Sequence, residues 1–260
     1  MKRKITLPVV LKVMSIAFLG VLLSCTGRVK STAEQTESIQ EAAESQQPGP
    51  WISLFDGETF NGWKRYNAEE IGPLWSIEDG AIKCGGEGHG EGSPEFGGSL
   101  ITLDTFGNFE LELEWKISEG GNSGIMYHVV EKPECSNAYM TGPEYQVMDD
   151  PPGPVDPADA NKRAGSNYDM YAAPATKKLN PVGEWNTAKI IYKDGKVEQW
   201  LNGEKVVEFD ENSADFREKF SKSKWASGDY PYWNTYKEGS IGLQDHGAPV
   251  WYRNIRIRQL

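Results

Sequence analysis

The stretch Phe109-Glu-Leu-Glu-Leu-Glu-Trp-Lys-Ile117 decides the fold class, because apolar and charged side chains alternate along it without a break. Successive side chains of a β-strand point to opposite faces of a sheet, so this alternation gives one apolar and one charged face. Such a pattern is typical of antiparallel sheets that cover a core on one side and face water on the other. The stretch therefore predicts a half-buried antiparallel strand.

Turn signals on both sides of this strand predict more antiparallel pairs. Asp79-Gly80 divides residues 75–83 into a hairpin, since Asp-Gly accepts the positive φ of a tight turn. Lys193-Asp-Gly195 and Leu201-Asn-Gly203 likewise divide a later stretch into a three-stranded meander. Helical spacing is confined to residues 213–222. Together with 28 Gly and 15 Pro, these signals predict an all-β, two-sheet antiparallel sandwich or jelly roll with one short helix.

The N-terminus predicts export and lipidation. Lys2-Arg-Lys4 and an apolar run at 9–23, broken by Lys12, form a secretory signal too short for a membrane span. Leu22-Leu-Ser-Cys25 resembles a bacterial lipobox, which implies a lipid anchor on Cys25. We therefore expect a signal peptide at 1–24, a lipidated cysteine and disordered tether at 25–50, and a folded domain at 51–260. The expected location is the outer membrane, facing the periplasm.

The charge and the cysteine content limit which binding partners, metals and disulfides the sequence predicts. The net charge of −11 repels polyanions, so a nucleic-acid partner is not expected. A disulfide between Cys84 and Cys135 is neither predicted nor excluded. An exported protein can form one, but the sequence does not give the distance between the two cysteines. The sequence has no Cys-x-x-Cys motif and no His-Cys cluster, the patterns that would indicate a zinc site. Asp149-Asp150 could bind a divalent cation, with a charged turn as the alternative.

Strand parity gathers polar residues on one sheet face. Three predicted strands, at 122–129, 144–150 and 241–246, place their larger apolar side chains in the core and turn polar or small ones outward. Glycine lets a ligand approach the backbone, amides and carboxylates bind hydroxyls, and histidine shuttles protons near neutral pH. This indicates a site for a sugar-sized ligand, with plain solvent exposure as the alternative. The residues expected to face outward are Gly124, His128, Glu144, Gln146, Gln244 and His246.

The third histidine, His89, lies in a glycine-rich run. We expect a mobile-loop residue there, with a rim or metal role as the alternative.

Ordered motifs along residues 51–260 resemble the 3-keto-disaccharide hydrolase family. They are Trp51-Ile-Ser-Leu-Phe-Asp-Gly-Glu-Thr-Phe-Asn-Gly-Trp63, Gly121-Asn-Ser-Gly-Ile125, Gly142-Pro-Glu-Tyr-Gln-Val-Met-Asp149, Pro181-Val-Gly-Glu-Trp-Asn186, Ile241-Gly-Leu-Gln-Asp-His-Gly-Ala-Pro-Val250 and Arg253-Asn-Ile-Arg256. The resemblance implies a concanavalin A-like fold and cleavage of 3-keto-glycosides or 3-keto-disaccharides. The ketone acidifies the C2 proton, so a base removes it, the C1 substituent leaves and water adds. Direct hydrolysis is the competing route.

The resemblance also implies roles for particular residues. The base is His246 or Glu144, and the enolate is stabilised by Arg253 or a divalent ion. Parity places Arg253 with Ile255 and Ile257 unless a bulge intervenes. The residues implied to bind substrate are Asn122, His128, Gln146, Gln244, Arg253 and Tyr168.

Two other functions remain open. Glu144-x-Gln146-x-x-Asp149 imitates the paired carboxylates of an ordinary β-glucanase, with an amide in the middle position. A carbohydrate-binding module without catalysis would instead use aromatic rings as platforms for sugars. The candidate platforms are Trp63, Tyr168, Tyr171, Trp225 and Trp233.

Overall fold

Two antiparallel β-sheets form the framework of the part of the chain that the computed structural model describes, residues 47–85 and 98–260. The strands are β1 Ile52–Ser53, β2 Trp63–Arg65, β3 Trp75–Glu78, β4 Ala81–Cys84, β5 Leu100–Thr102, β6 Phe109–Ile117, β7 Asn122–Val129, β8 Glu144–Met148, β9 Asn186–Lys193, β10 Lys196–Leu201, β11 Glu204–Asp210, β12 Ser240–Leu243 and β13 Val250–Gln259. One α-helix, α1, spans Ala214–Lys222. Cys25 and His89 lie outside the described residues.

The larger sheet has the order β11-β10-β9-β6-β13-β4-β3, and β1 pairs with β13. The smaller sheet has the order β2-β5-β12-β7-β8. Every pairing in both sheets is antiparallel. The predicted all-β sandwich with one short helix is therefore confirmed. Within the described residues, no helix is long and apolar enough to cross a membrane.

The turns predicted from sequence form as expected. Asp79 and Gly80 both have positive φ, at 50° and 74°, and connect β3 to β4. The turns at Asp194-Gly195 and Asn202-Gly203 repeat this geometry and produce the β9-β10-β11 meander. Helix α1 begins after Ser213, whose side chain accepts a hydrogen bond from the Phe216 amide. Local turn and cap chemistry thus sets these boundaries.

The core lies between the inner faces of the two sheets. Phe109 of β6 meets Tyr127 of β7 edge to face, with 6.0 Å between ring centroids. The Tyr252 hydroxyl of β13 lies 2.6 Å from the Ser123 hydroxyl of β7. All four residues are fully buried. These contacts fix which faces point inward, so the opposite face of each sheet is its outer face.

His128 points into this core, and the prediction that it faces outward is wrong. The β7–β12 pairing shifts register between Ser240 and Gly242, and His128 has a φ of 54°. This bulge reverses the parity of the strand after Tyr127. The imidazole is fully buried, 4.3 Å from the Tyr192 ring centroid, and its Nε2 lies 2.9 Å from the Gly107 carbonyl oxygen. His128 therefore cannot bind substrate on the outer face.

The burial of His128 predicts a pH-dependent stability. Burial lowers the pKa of His128 from its ordinary value of 6.5, although the Gly107 carbonyl and the Glu211 carboxylate favour the charged form and Lys237 opposes it. Protonation would also place a donor on Nδ1, which is buried without a hydrogen-bond partner. The unfolded chain thus binds a proton that the folded protein resists, so the free energy of unfolding falls as the pH drops below about 6.5.

Urea denaturation at pH 7.5 and 5.5 checks this expectation. His128→Gln should reduce the loss of stability between the two pH values, because its side chain does not titrate. His246→Gln, which changes an exposed histidine, should retain the loss. An equal loss in the wild type and in His128→Gln would contradict the expectation.

Candidate functional site on the smaller sheet

Four predicted polar residues meet on the outer face of the smaller sheet, around Gly124 of β7. Gly124 pairs with Gln146 of β8. On its other side, its carbonyl accepts a hydrogen bond from the backbone N–H of Gln244. Asn122, two residues before Gly124, accepts a 2.6 Å hydrogen bond from Gln146 Nε2. The Glu144 side chain extends across Gly124 from the other end of β8. The strand register therefore brings together a carboxylate and three amides.

Gly124 is required by the position of the Glu144 carboxylate. A Cβ added to Gly124 would lie 2.5 Å from Glu144 Oε1, 2.6 Å from its Cγ and 2.7 Å from its Cδ. These separations are shorter than any normal contact, so the whole Glu144 side chain occupies the space that a side chain at 124 would fill. A ligand on this face therefore meets the Glu144 carboxylate at this point, and the missing side chain of Gly124 is what gives that carboxylate its position.

Two amide oxygens of the site have no hydrogen-bond partner among the described residues. They are Oε1 of Gln146 and Oε1 of Gln244, and both are buried. Buried polar atoms normally have a partner, so such atoms need an explanation when they share a site. An amide oxygen accepts hydrogen bonds, and a sugar hydroxyl can donate one. The arrangement can therefore hold hydroxyl groups beside the Glu144 carboxylate.

His246 lies at the exposed end of this face. It follows β12 two residues after Gln244, and its side chain is exposed whereas that of Gln244 is buried. The intervening Asp245 is fully buried and accepts hydrogen bonds from the backbone amides of Gly98, at 3.1 Å, and Gly247, at 3.0 Å. Asp245 therefore fixes the backbone that carries His246. Sequence reasoning missed this role, although the alternation after Leu243 already indicated that Asp245 points inward.

Tyr168 and the neighbouring Lys224–Trp225 border the site beside Glu144. The Tyr168 amide donates a 3.0 Å hydrogen bond to the Glu144 carbonyl, and the Tyr168 carbonyl accepts one from the Trp225 indole at 3.1 Å. The exposed Lys224 places its ammonium nitrogen 4.5 Å from the Tyr168 ring centroid. Tyr168 thus lies next to the predicted site, and Lys224, which sequence reasoning missed, adds a cation to this border.

Arg253 lies elsewhere, on the outer face of the larger sheet. A register shift in β13, with Asn254 at a φ of 52°, turns Arg253 outward while Ile255 stays buried. Its guanidinium binds the Glu114 carboxylate at 2.7 Å and stacks on the Trp185 ring at 3.9 Å. Two sheets separate Arg253 from Glu144, so the predicted role of Arg253 in binding substrate or stabilising an enolate is wrong.

Both metal-ligand candidates are engaged within the protein. Asp149 accepts a 2.9 Å hydrogen bond from the Gly120 amide. Asp150 accepts one from the Ala164 amide at 2.8 Å and pairs with the Lys177 ammonium at 2.7 Å. No group of three or more His, Cys, Asp or Glu side chains suited to a metal occurs in residues 47–85 or 98–260. The contacts of Asp149 and Asp150 are those of the charged turn named as the alternative.

The predicted sugar platforms are mostly part of the core. Trp63, Trp225 and Trp233 are each at most 4% exposed. Trp225 and Trp233 stack on each other at 4.9 Å, and Tyr171 stacks on Phe209 at 4.5 Å. These four rings are used for packing, so the half-buried Tyr168 is the predicted platform that remains beside the candidate site. Cys84 and Cys135 are both buried, and no disulfide joins them.

Comparisons with known proteins agree with this architecture. Residues 50–258 match the family described as the 3-keto-alpha-glucoside-1,2-lyase-like domain. A 3-keto-disaccharide hydrolase of Bacteroides thetaiotaomicron is 39% identical, over 93% of this chain and 95% of that protein. The solved structure of a candidate glycosyl hydrolase from Parabacteroides distasonis is 37% identical with a TM-score of 0.71, covering 85% of this chain and 96% of that one. A second from the same organism is 26% identical with a TM-score of 0.61, covering 81% and 100%.

Proposed function

Because the chain belongs to the 3-keto-alpha-glucoside-1,2-lyase-like family, we propose that it cleaves the glycosidic bond of 3-keto-glycosides or 3-keto-disaccharides at the Glu144 face. The observation that carries this proposal is the Glu144 carboxylate lying over Gly124. The unpartnered amide oxygens of Gln146 and Gln244 accompany it. The carboxylate can serve as the base that removes a proton from a sugar carbon, and the amide oxygens can hold the sugar hydroxyls beside it.

Glu144 acts as the base in this proposal. The C3 ketone lets the electrons of the C2–H bond move into an enolate when Glu144 takes the C2 proton. The C1–O bond then breaks, and the alcohol leaves with a proton to give an unsaturated 3-keto sugar. Water adds its oxygen to C1 and a proton returns to C2, so the net reaction is hydrolysis. His246, at the exposed end of the face, is positioned to exchange protons with solvent.

A comparison of two chromogenic substrates tests the proposed function. The protein should release p-nitrophenol from the p-nitrophenyl 3-keto-α-glucoside and not from the unoxidised α-glucoside, because only the ketone acidifies C2. Equal release from both would indicate an ordinary glycoside hydrolase. No release from either would contradict the proposal.

Membrane anchoring is a separate part of the proposal. It is supported by the resemblance of Leu22-Leu-Ser-Cys25 to a lipobox. Expressed in a Gram-negative host, the full chain should incorporate labelled palmitate and fractionate with the outer membrane. Cys25→Ser should do neither, and labelling of that variant would contradict the proposal.

A further inference from the structure

A groove of about 820 Å³ lies on the outer face of the larger sheet, opposite the Glu144 face. Trp200 of β10 lines one side and Trp51, next to β1, lines the other. Strands β9, β6 and β13 lie between them, which corresponds to roughly 19 Å at the usual strand spacing. This groove is long enough for an extended ligand and is distinct from the candidate catalytic site.

The charges that line the groove cancel. Glu112 and Glu114 are balanced by Lys189 and Arg256. Glu112 accepts hydrogen bonds from Arg256 Nε at 3.0 Å and pairs with Lys189 Nζ at 2.8 Å. Glu114 accepts one from Asn254 Nδ2 at 2.9 Å. A lining with no net charge favours neither anions nor cations, while its fixed polar atoms still offer hydrogen bonds. The matching ligand is neutral and polar.

The two tryptophans are held in place and remain half-buried. The Arg256 guanidinium lies 4.5 Å from the Trp51 ring centroid, and the Trp200 indole donates a 2.9 Å hydrogen bond to Glu198. Held aromatic rings at a groove provide apolar contact area at low entropic cost. A pyranose ring combines an apolar C–H face with a rim of hydroxyls, so it suits both the rings and the polar lining.

We propose that this groove is a second carbohydrate site that binds a neutral glucan chain and leaves the Glu144 face free to react. The choice of glucose as the sugar rests on the proposed function, whereas the groove itself does not. Binding here would keep the enzyme close to material that carries its substrates.

Isothermal titration of the wild-type protein with cellohexaose and with maltohexaose tests the proposal. We expect one of the two to bind at one site per chain. Trp200→Ala should weaken that binding about fivefold, the usual effect of losing one stacked aromatic ring. Combining it with Trp51→Ala should abolish binding. Turnover of the p-nitrophenyl 3-keto-α-glucoside should be unchanged in both variants.

Trp185→Ala is the matched control. Trp185 also stacks on an arginine of the same sheet face, Arg253, but does not line the groove. The Trp185→Ala variant should bind the glucan normally. Gln146→Ala, which changes the Glu144 face, should also bind it normally. Failure of both oligosaccharides to bind would overturn the proposal. So would binding that survives the double tryptophan substitution or is lost in Gln146→Ala. Absence of keto-glucoside turnover with intact glucan binding would refute only the proposed function.

Discussion

Glu144→Gln should lower kcat for the p-nitrophenyl 3-keto-α-glucoside by about 10²–10⁴-fold, the usual contribution of a general base. Glutamine keeps the size of the side chain and its position over Gly124, but its amide cannot take up the C2 proton. Because the substitution leaves packing nearly unchanged, the melting temperature should stay close to that of the wild type. Steady-state kinetics and thermal denaturation on the same preparation measure both effects.

Glu131→Gln is the control for loss of a carboxylate. Glu131 follows the end of β7 remote from Asn122 and pairs with Lys64 at 2.8 Å, so kcat should remain near the wild-type value. His246→Ala distinguishes the two candidate bases. If His246→Ala abolished turnover while Glu144→Gln retained it, His246 would be the base and the assignment of Glu144 would be wrong.

Gly124→Ala should reduce kcat/KM by about 10²-fold or more, since small displacements of a catalytic group have effects of this size. The added methyl group would lie within 2.7 Å of three Glu144 atoms, so the carboxylate must leave its position. The substitution should also lower stability, because close-packed regions tolerate added atoms poorly. Kinetics and urea denaturation give the two quantities.

A double variant separates displacement of Glu144 from general damage. In Gly124→Ala/Glu144→Ala the shortened side chain makes room for the methyl group, so this variant should be more stable than Gly124→Ala. Gly242→Ala is a matched control on the neighbouring strand, where the nearest contact is the flexible Met126 methyl group at 3.0 Å. It should lose less activity than Gly124→Ala. Equal instability of the single and double variants would contradict the role given to Gly124.

Much of this fold is predictable because its signals are local. The alternation in Phe109–Ile117 and the Asp-Gly and Asn-Gly turns depend on neighbouring residues only. Parity also placed Glu144, Gln146 and Gln244 on one face, since β8 and the β7–β12 pairing around Gly124 are regular there. Local periodicity thus positioned most of the candidate site.

The remaining features depend on tertiary structure. The bulges at His128 and Asn254 reverse strand parity, and neither residue type announces a bulge in the sequence. Parity therefore put His128 outside, and only the fold shows Arg253 on the opposite sheet. The Trp51–Trp200 groove combines residues about 150 positions apart in the chain, and their proximity follows from strand order alone.

An isotope experiment at C2 tests the central claim that the Glu144 face removes this proton. The p-nitrophenyl 3-keto-α-glucoside is prepared with hydrogen or deuterium at C2, and kcat/KM is measured for each. Removal of the C2 proton by Glu144 predicts slower release of p-nitrophenol from the deuterated substrate, or loss of deuterium from recovered substrate. Equal rates with deuterium fully retained in the recovered substrate would show that the C1–O bond breaks while C2–H stays intact, which would contradict the account.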